Sequence, residues 1–341
     1  SDDKANALIY AADGNIYAAG TSTSNKSSYD IAVISLTYTG QERWVYLYNG
    51  PGNSYDEAYG LISKADNNIY VAGTSFGSNS REDLTIINIS STGQGQWVYR
   101  FDLSSTVEKA YAVTYGPDGN IYAVGTGYGF VTYDDFTVIS VDTKGQARWI
   151  YFYNTIGTDL EEANVIVYDP DGNLYVAGRI EDVASYSDFM VVSLDPQGKE
   201  RWVYTYKGSL SNNDNATSLV YGADSNLYVV GYSVGIDELY HLTVISLTSS
   251  GQERWVFQDT MTSYGYSIVY GSDDNIYAAG FCNDSPITDL LVISLTTSGQ
   301  ERWVYTFNGH SNGNDAANSI VYGLDNNIYV AGSSYWEGSN L

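Results

Sequence analysis

The residues best suited to chemistry in this chain are carboxylates that return at fixed intervals. Asp3, Asp56, Glu108, Glu161 and Asp214 are separated by 53, 52, 53 and 53 residues, and Asp315 follows 101 further on. Ser263 interrupts the series where another acid would fall. A second series, Asp30, Asp83, Asp135, Asp188 and Asp289, has His241 in its remaining place. Carboxylates of the first series, gathered around one opening, could hold a cation such as calcium or a cationic ligand. Their mutual repulsion would raise some of their pKa values. The plainer role is structural: each acid caps a turn and accepts hydrogen bonds from backbone N–H groups. Because both series repeat with the architecture, the plainer role weighs more.

Other routes to catalysis are thinly represented. The chain has no P-loop or His-Glu-x-x-His pattern, and no nucleophile elbow is expected in it. Asp169-Pro170-Asp171-Gly172-Asn173 resembles the start of a calcium loop, but Glu181 falls one residue late, and the matching segments elsewhere are turns. Cys282, His241 and His310 are isolated on variable stretches, and no Cys–His pair is expected from them. One Cys and two His leave no disulfide framework, thiolate cluster or histidine-rich metal site. With 15 Lys and Arg against 40 Asp and Glu, the formal charge is -25, which argues against nucleic acid or anionic lipid as the main partner. A hydrophobic content of 43% supports a packed core. No apolar run approaches the roughly 18 residues of a membrane helix, and no membrane insertion is expected.

The elements that position these residues are copies of one unit. Asn-(Ile/Leu)-Tyr-x-x-Gly recurs with its tyrosine at Tyr17, Tyr70, Tyr122, Tyr175, Tyr228, Tyr277 and Tyr329, a mean period of (329 − 17)/6 = 52. Gly-Gln-x-(Arg/Gln)-Trp, or a close variant, places Trp44, Trp97, Trp149, Trp202, Trp255 and Trp303 at the same period. Each unit holds four short apolar runs rich in Val, Ile and aromatics, such as SIVY, NIYAAG, LLVISL and RWVYTF. These runs have strand composition and are too short for helices. Asp-Gly-Asn or a relative separates the first and second runs, and Thr-Ser-Gly-Gln or a relative the third and fourth. Both tolerate positive φ and predict tight hairpins. The runs are apolar at odd and even positions alike, as expected of strands buried on both faces. Four-stranded sheets repeated about every 40 to 50 residues predict a β-propeller.

The order Asp-x-x-Val-Ile-Ser-Leu, Gly-Gln-Glu-Arg-Trp, Asn-Gly, Asp-Glu-Ala, Asp-Gly-Asn-Ile-Tyr-Val-Ala-Gly resembles the SBBP-type bacterial β-propeller repeat over nearly the whole chain. That resemblance implies a seven-bladed propeller of an exported or surface protein, often without an assigned activity. Leu194 to Trp202 is also similar to the tryptophan-docking repeat of quinoprotein propellers. This second likeness is confined to one hairpin and implies no quinone cofactor.

The expected organisation is one all-β propeller domain over 1–341. Its repeat units span about 5–52, 53–105, 106–158, 159–211, 212–260 and 261–312, with a half unit at 313–341. Six units of four strands plus two strands from the last predict 26, two short of seven full antiparallel blades. The favoured arrangement has seven blade positions with the last incomplete; the alternative has six blades and an extra strand pair outside them. An open blade edge invites another chain to add a strand, although the tail from Tyr335 could equally cover it. Each repeating Trp is expected to fill the gap between blades. Five of eight arginines (Arg43, Arg148, Arg201, Arg254, Arg302) precede such a Trp and are expected to satisfy nearby acids and carbonyls.

The variable segments carry Tyr55, Tyr128, Tyr133, Tyr186, Tyr240, Tyr264 and Trp336, which suit sugars as well as proteins. Sequons at Asn25, Asn88, Asn215 and Asn283 are expected to be chance. Abundant Asn, Ser, Thr, Gly and Tyr, with few Lys, suggest an extracellular or cell-surface location. Function is expected to be non-enzymatic: a scaffold or adhesion protein, self-associating or binding a protein partner through the open edge, without a metal site or cofactor unless calcium occupies the acidic ring. A carbohydrate-binding lectin is the first alternative, and a hydrolase or lyase using carboxylates the second.

Overall fold

The computed structural model describes residues 3–23, 29–64, 67–78, 81–103, 106–127, 135–153, 161–181, 186–209, 213–284, 287–309 and 313–335. They form 26 strands. No helix among the described residues is long and apolar enough to cross a membrane. Blade 1 comprises β1 (Lys4–Tyr10), β2 (Asn15–Ser22), β3 (Asp30–Thr37) and β4 (Glu42–Tyr48). Blade 2 comprises β5 (Asp56–Ser63), β6 (Ile69–Phe76), β7 (Glu82–Ile89) and β8 (Gly95–Phe101). Blade 3 comprises β9 (Lys109–Tyr115), β10 (Ile121–Gly127), β11 (Asp135–Val141) and β12 (Ala147–Tyr153). Blade 4 comprises β13 (Glu162–Tyr168), β14 (Leu174–Glu181), β15 (Ser187–Leu194) and β16 (Glu200–Tyr206). Blade 5 comprises β17 (Asn215–Tyr221), β18 (Asn226–Val234), β19 (Tyr240–Thr248) and β20 (Glu253–Gln258). Blade 6 comprises β21 (Ser263–Tyr270), β22 (Asn275–Asp284), β23 (Ile287–Thr296) and β24 (Glu301–Phe307), and β25 (Asp315–Tyr322) and β26 (Ile328–Ser334) form the last sheet.

In every sheet the strands lie side by side in chain order. The fold is a β-propeller with seven blade positions, the seventh holding two strands. The chain divides into two compact units, Ser1–Ile166 with the turns Pro170–Gly172 and Pro196–Lys199, and the remainder through Leu341.

The sequence pattern and the burial agree strand by strand. Second and third strands such as β10 and β11 are buried at every residue, so both faces are apolar. Fourth strands such as β4 alternate between exposed and half-buried residues, as outer strands should. The third-to-fourth connection is a three-residue hairpin loop: Gly299 N–H donates to Thr296 O at 3.0 Å and Thr296 N–H to Gln300 O at 2.8 Å, with Gly299 at φ 82°.

The glycine of Asn-Ile-Tyr-x-x-Gly has a different cause. The first strand bulges, as between Gly265 and Ser267, and presses its backbone against the second strand. A Cβ on Gly280 would lie 1.8 Å from Tyr264 O. That close approach admits only glycine.

The last strand pair continues the series. Ala317 and Ile320 of β25 pack on Tyr277, Ala279 and Val292 of blade 6. Blade 6 covers blade 5 in the same manner, with Ile268 and Ala278 against Tyr228 and Val230. The extra pair therefore does not lie outside the blade stack of its own compact unit.

Candidate functional site

Each repeating Trp except Trp303 joins two blades. Its ring leans on the second-strand tyrosine of its own blade, with centroids 5.7 Å apart for Tyr17 and Trp44 and 5.9 Å for Tyr277 and Trp303. Its indole N–H crosses to a carbonyl in the next third-to-fourth turn: Trp44 to Ser91 at 2.9 Å, Trp97 to Thr143 at 3.0 Å, Trp149 to Pro196 at 3.2 Å, Trp202 to Ser249 at 3.1 Å and Trp255 to Thr297 at 3.0 Å. The positive-φ glycine of that turn lies flat on the ring. A Cβ on Gly251 would sit 2.6 Å from Trp202.

The preceding arginine bonds within its own blade, and Arg43 also donates to Ser91 O of the next blade at 3.4 Å. Arg302 Nη1 donates to Tyr277 Oη at 3.2 Å and Ser294 Oγ at 2.9 Å, while Tyr277 Oη donates to Asp273 at 2.6 Å. Arg43, Arg148, Arg201 and Arg254 repeat the contacts to tyrosine and serine. Burial pushes the Asp118 carboxyl up, but hydrogen bonds from Tyr122 and Asn120 and the Arg148 charge outweigh it and hold it below the usual range.

The acids of the first series head the first strands. Asp56, Glu108, Glu161 and Asp214 are fully buried and Asp315 nearly so, whereas Asp3 is exposed. Asp56 accepts from Gly50 N–H at 2.6 Å and Phe76 N–H at 2.9 Å, and Asp214 accepts from Gly208 and Val234 in the same way. Each chain segment also crosses to the previous blade, with Asp56 N–H donating to Tyr29 O at 2.8 Å and Glu108 N–H to Glu82 O at 2.7 Å. This crossing brings the two acidic series together in pairs. Burial raises Glu108 to about 7, helped by Asp83 and Asp102, and burial raises Asp214 to about 6, helped by Asp188.

Oxygens of Asp83, Asp102 and Glu108 lie within 4.8 Å of one another, close enough to share a metal ion, and Glu108 Oε2 has no hydrogen-bond partner among the described residues. Arg100, however, already pairs with Asp83, and Lys207 pairs with Asp188 at 3.0 Å. Neither basic residue stands out in the sequence, because each occurs in a single repeat.

At the break in both series, His241 meets Asp237 through Nε2 at 2.9 Å and Met261 O through Nδ1 at 2.8 Å. Burial alone would lower its pKa, but Asp237 and Asp259 raise it. Ser263 Oγ donates to Asp259 at 2.7 Å and accepts from Leu242 N–H at 2.7 Å. Its proton is therefore directed at the Asp259 carboxylate, while the His241 nitrogens face Met261 O and Asp237. Cys282 is buried, with Sγ 3.7 Å from Asp289 O. His310, Tyr128, Tyr133, Trp336 and Asn25 lie outside the described residues. Asn88 is buried and Asn283 exposed.

A cluster of half-buried rings lies on blades 5 and 6. Tyr264 stacks on Phe281 at 4.8 Å and meets Tyr232 at 4.9 Å and Tyr240 at 5.0 Å. Tyr55, by contrast, donates to Glu57, which also accepts from Tyr59 at 2.9 Å and Asn6 at 2.8 Å.

The largest departure from the repeat is on β24 and β26. Trp303 is 38% exposed, Tyr305 54% and Phe307 40%, although the same positions elsewhere pack under a following blade. They line a cavity of about 330 Å³ with Leu290, Val292, Ile328 and Val330. Strand β26 pairs with β25 and, among the described residues, has no second neighbour in its sheet; the tail beyond Tyr335 lies outside them. In the other compact unit, Ala32, Ile34, Val45 and Leu47 of blade 1 line an open hollow of about 300 Å³.

No protein-family model and no curated protein sequence matches the chain. Solved structures do match. Sqt1 from Chaetomium thermophilum is 12% identical with TM-score 0.55, covering 91% of this chain and 72% of its own. A polysaccharide lyase of family PL25, an ulvan lyase bound to a saccharide, is 11% identical with TM-score 0.53, covering 92% and 84%. A protein of unknown function from Bacteroides caccae is 14% identical with TM-score 0.45, covering 76% and 83%. At these identities the first two neighbours show that the chain shares their fold.

Proposed function

We propose that this chain is a non-enzymatic binding scaffold at or outside the cell surface, and that its unfinished blade is the place where another polypeptide docks. The observation that carries this reading is the unpaired outer edge of β26 beside the uncovered side chains of Trp303, Tyr305 and Phe307. An open strand edge supplies backbone hydrogen bonds, and the adjoining apolar wall supplies burial. The titratable clusters support the same view, because Ser263, His241 and the buried acids are engaged with neighbouring groups of the fold.

Light scattering over a hundred-fold dilution tests the reading. Association that weakens on dilution and disappears in Val330→Lys is the expected outcome. A monomer at every concentration that binds oligosaccharide at micromolar levels would replace it with a lectin.

That second reading has one observation in its favour, the half-buried cluster of Tyr232, Tyr240, Tyr264 and Phe281, because tyrosine faces stack on sugar rings. Tyr264→Ala would then abolish saccharide binding while leaving association unchanged.

A further inference from the structure

The blades preceding the gap show what a complete interface contains. At each of the first five, a turn carbonyl of the next blade accepts the indole N–H of the repeating Trp, and a positive-φ glycine covers its face. Aliphatic third-strand residues pack beside Trp44, Trp97 and Trp255. For Trp255 and Phe257 those aliphatic residues are Ile293 and Leu295. For Trp44 and Tyr46 they are Ile87 and Ile89. Trp303 and Tyr305 present the same groups, and among the described residues the two-stranded seventh blade contains neither that turn nor that third strand.

Blade 7 also has an unfilled charge position. Tyr329 Oη donates to Asp325 at 2.6 Å, the arrangement that accepts an arginine in blades 1, 3, 5 and 6, where Arg148 and Asp118, for example, lie 3.5 Å apart. Among the described residues Asp325 is held low, to about 2, by Tyr329, Asn327 and backbone N–H groups, with no arginine contributing. The arginine comes from the fourth strand in every blade that has it, immediately before the Trp.

The register is equally specified. In the intact blades the second-strand tyrosine stands opposite one polar third-strand residue: Tyr17 opposite Ser35, Tyr122 opposite Ser140, Tyr228 opposite Ser246 and Tyr277 opposite Ser294. Tyr329 on β26 has its side of the pair ready.

Resting on the reading of the unfinished blade as a docking place, we propose that its occupant is a β-hairpin with the pattern Val-Ile-Ser-Leu, a turn ending in Gly-Gln, then x-Arg-Trp. Whatever chain carries it, the hairpin's first strand adds antiparallel to β26 with the serine opposite Tyr329. Its turn carbonyl accepts the Trp303 indole, and its arginine joins Asp325 and Tyr329. Shape, hydrogen bonding and charge all converge on this hairpin. A second copy of the chain cannot supply this hairpin, because all six of its kind are already paired within their own sheets, so copies meet at β26 only edge to edge and the hairpin competes with that contact.

The test uses a fluorescein-labelled synthetic peptide with the sequence of residues 30–48, titrated with the full chain and followed by anisotropy. Saturable binding is expected, weakened roughly tenfold by Asp325→Asn or by Arg43→Gln in the peptide, with the double change no worse than either alone. The amides of Ile328–Ser334 should become protected from hydrogen exchange when the peptide binds, which separates docking at β26 from peptide stickiness. Absence of saturable binding, or binding indifferent to both charge changes, overturns the hairpin proposal. In that event, self-association abolished by Val330→Lys would leave the docking place standing with a different occupant, and its persistence in Val330→Lys would remove both.

Discussion

At the residue scale, one chemical role can carry different energies depending on its neighbours. Trp149 and Trp303 occupy the same repeat position, yet the first donates to Pro196 O and the second is 38% exposed. Replacing Trp149 by Ala should cost about 3 kcal/mol in a urea titration, and the same change at Trp303 about 1 kcal/mol. Similar losses would mean that Trp303 is covered after all.

Glu108 gives a prediction in pH. Its folded pKa of about 7 lies above the ordinary 4.5, so keeping it buried favours the protonated form. Its contribution to stability is therefore greatest below about pH 4.5 and is lost as pH rises through about 7. Glu108→Gln should gain roughly 1–3 kcal/mol over the parent at pH 8 and nothing at pH 4, as measured by denaturant titration. The recurrence of the acids was legible in the sequence, as was their place at the first strands. Their pairing was not, because it depends on the crossing of Glu108 N–H to Glu82 O, a contact between blades.

At the element scale, period and turn chemistry made the strands and hairpins readable, and the apolar residues at both parities of β10 and β11 announced burial on two faces. The bulge in first strands such as β21 was hidden, since its only trace is a glycine on the neighbouring strand. Gly280→Ala should destabilise by about 2 kcal/mol or more, because a Cβ there meets Tyr264 O at 1.8 Å and backbone must move. A neutral result in thermal unfolding would show that the bulge relaxes freely. The two-strand shortfall of the last blade could be counted in the sequence, but the apolar wall it uncovers could not be seen before Tyr305 and Phe307 had a position in space.

At the scale of the whole molecule, a net charge of -25 on 341 residues opposes compaction by self-repulsion. Salt screens that repulsion, so raising sodium chloride from about 20 to about 300 mM should raise the unfolding midpoint. A falling midpoint would make the few ion pairs, such as Lys207 with Asp188, more important than the net charge. The copied unit made the seven blade positions legible from one end of the chain to the other. The division into two compact units had no sequence signal, since it falls inside the uniform repeat near Ile166.

The central claim is that β26 is an open edge made to receive another polypeptide. Hydrogen exchange on the chain alone tests it most directly, comparing Ile328–Ser334 with the equivalent strand Asn275–Asp284 of the complete blade 6. Exchange at least roughly a hundredfold faster is expected in β26, since among the described residues it has no outer neighbour while β22 is bonded on both sides. Equal protection of the two strands would mean that the edge is already sealed, and would contradict the claim.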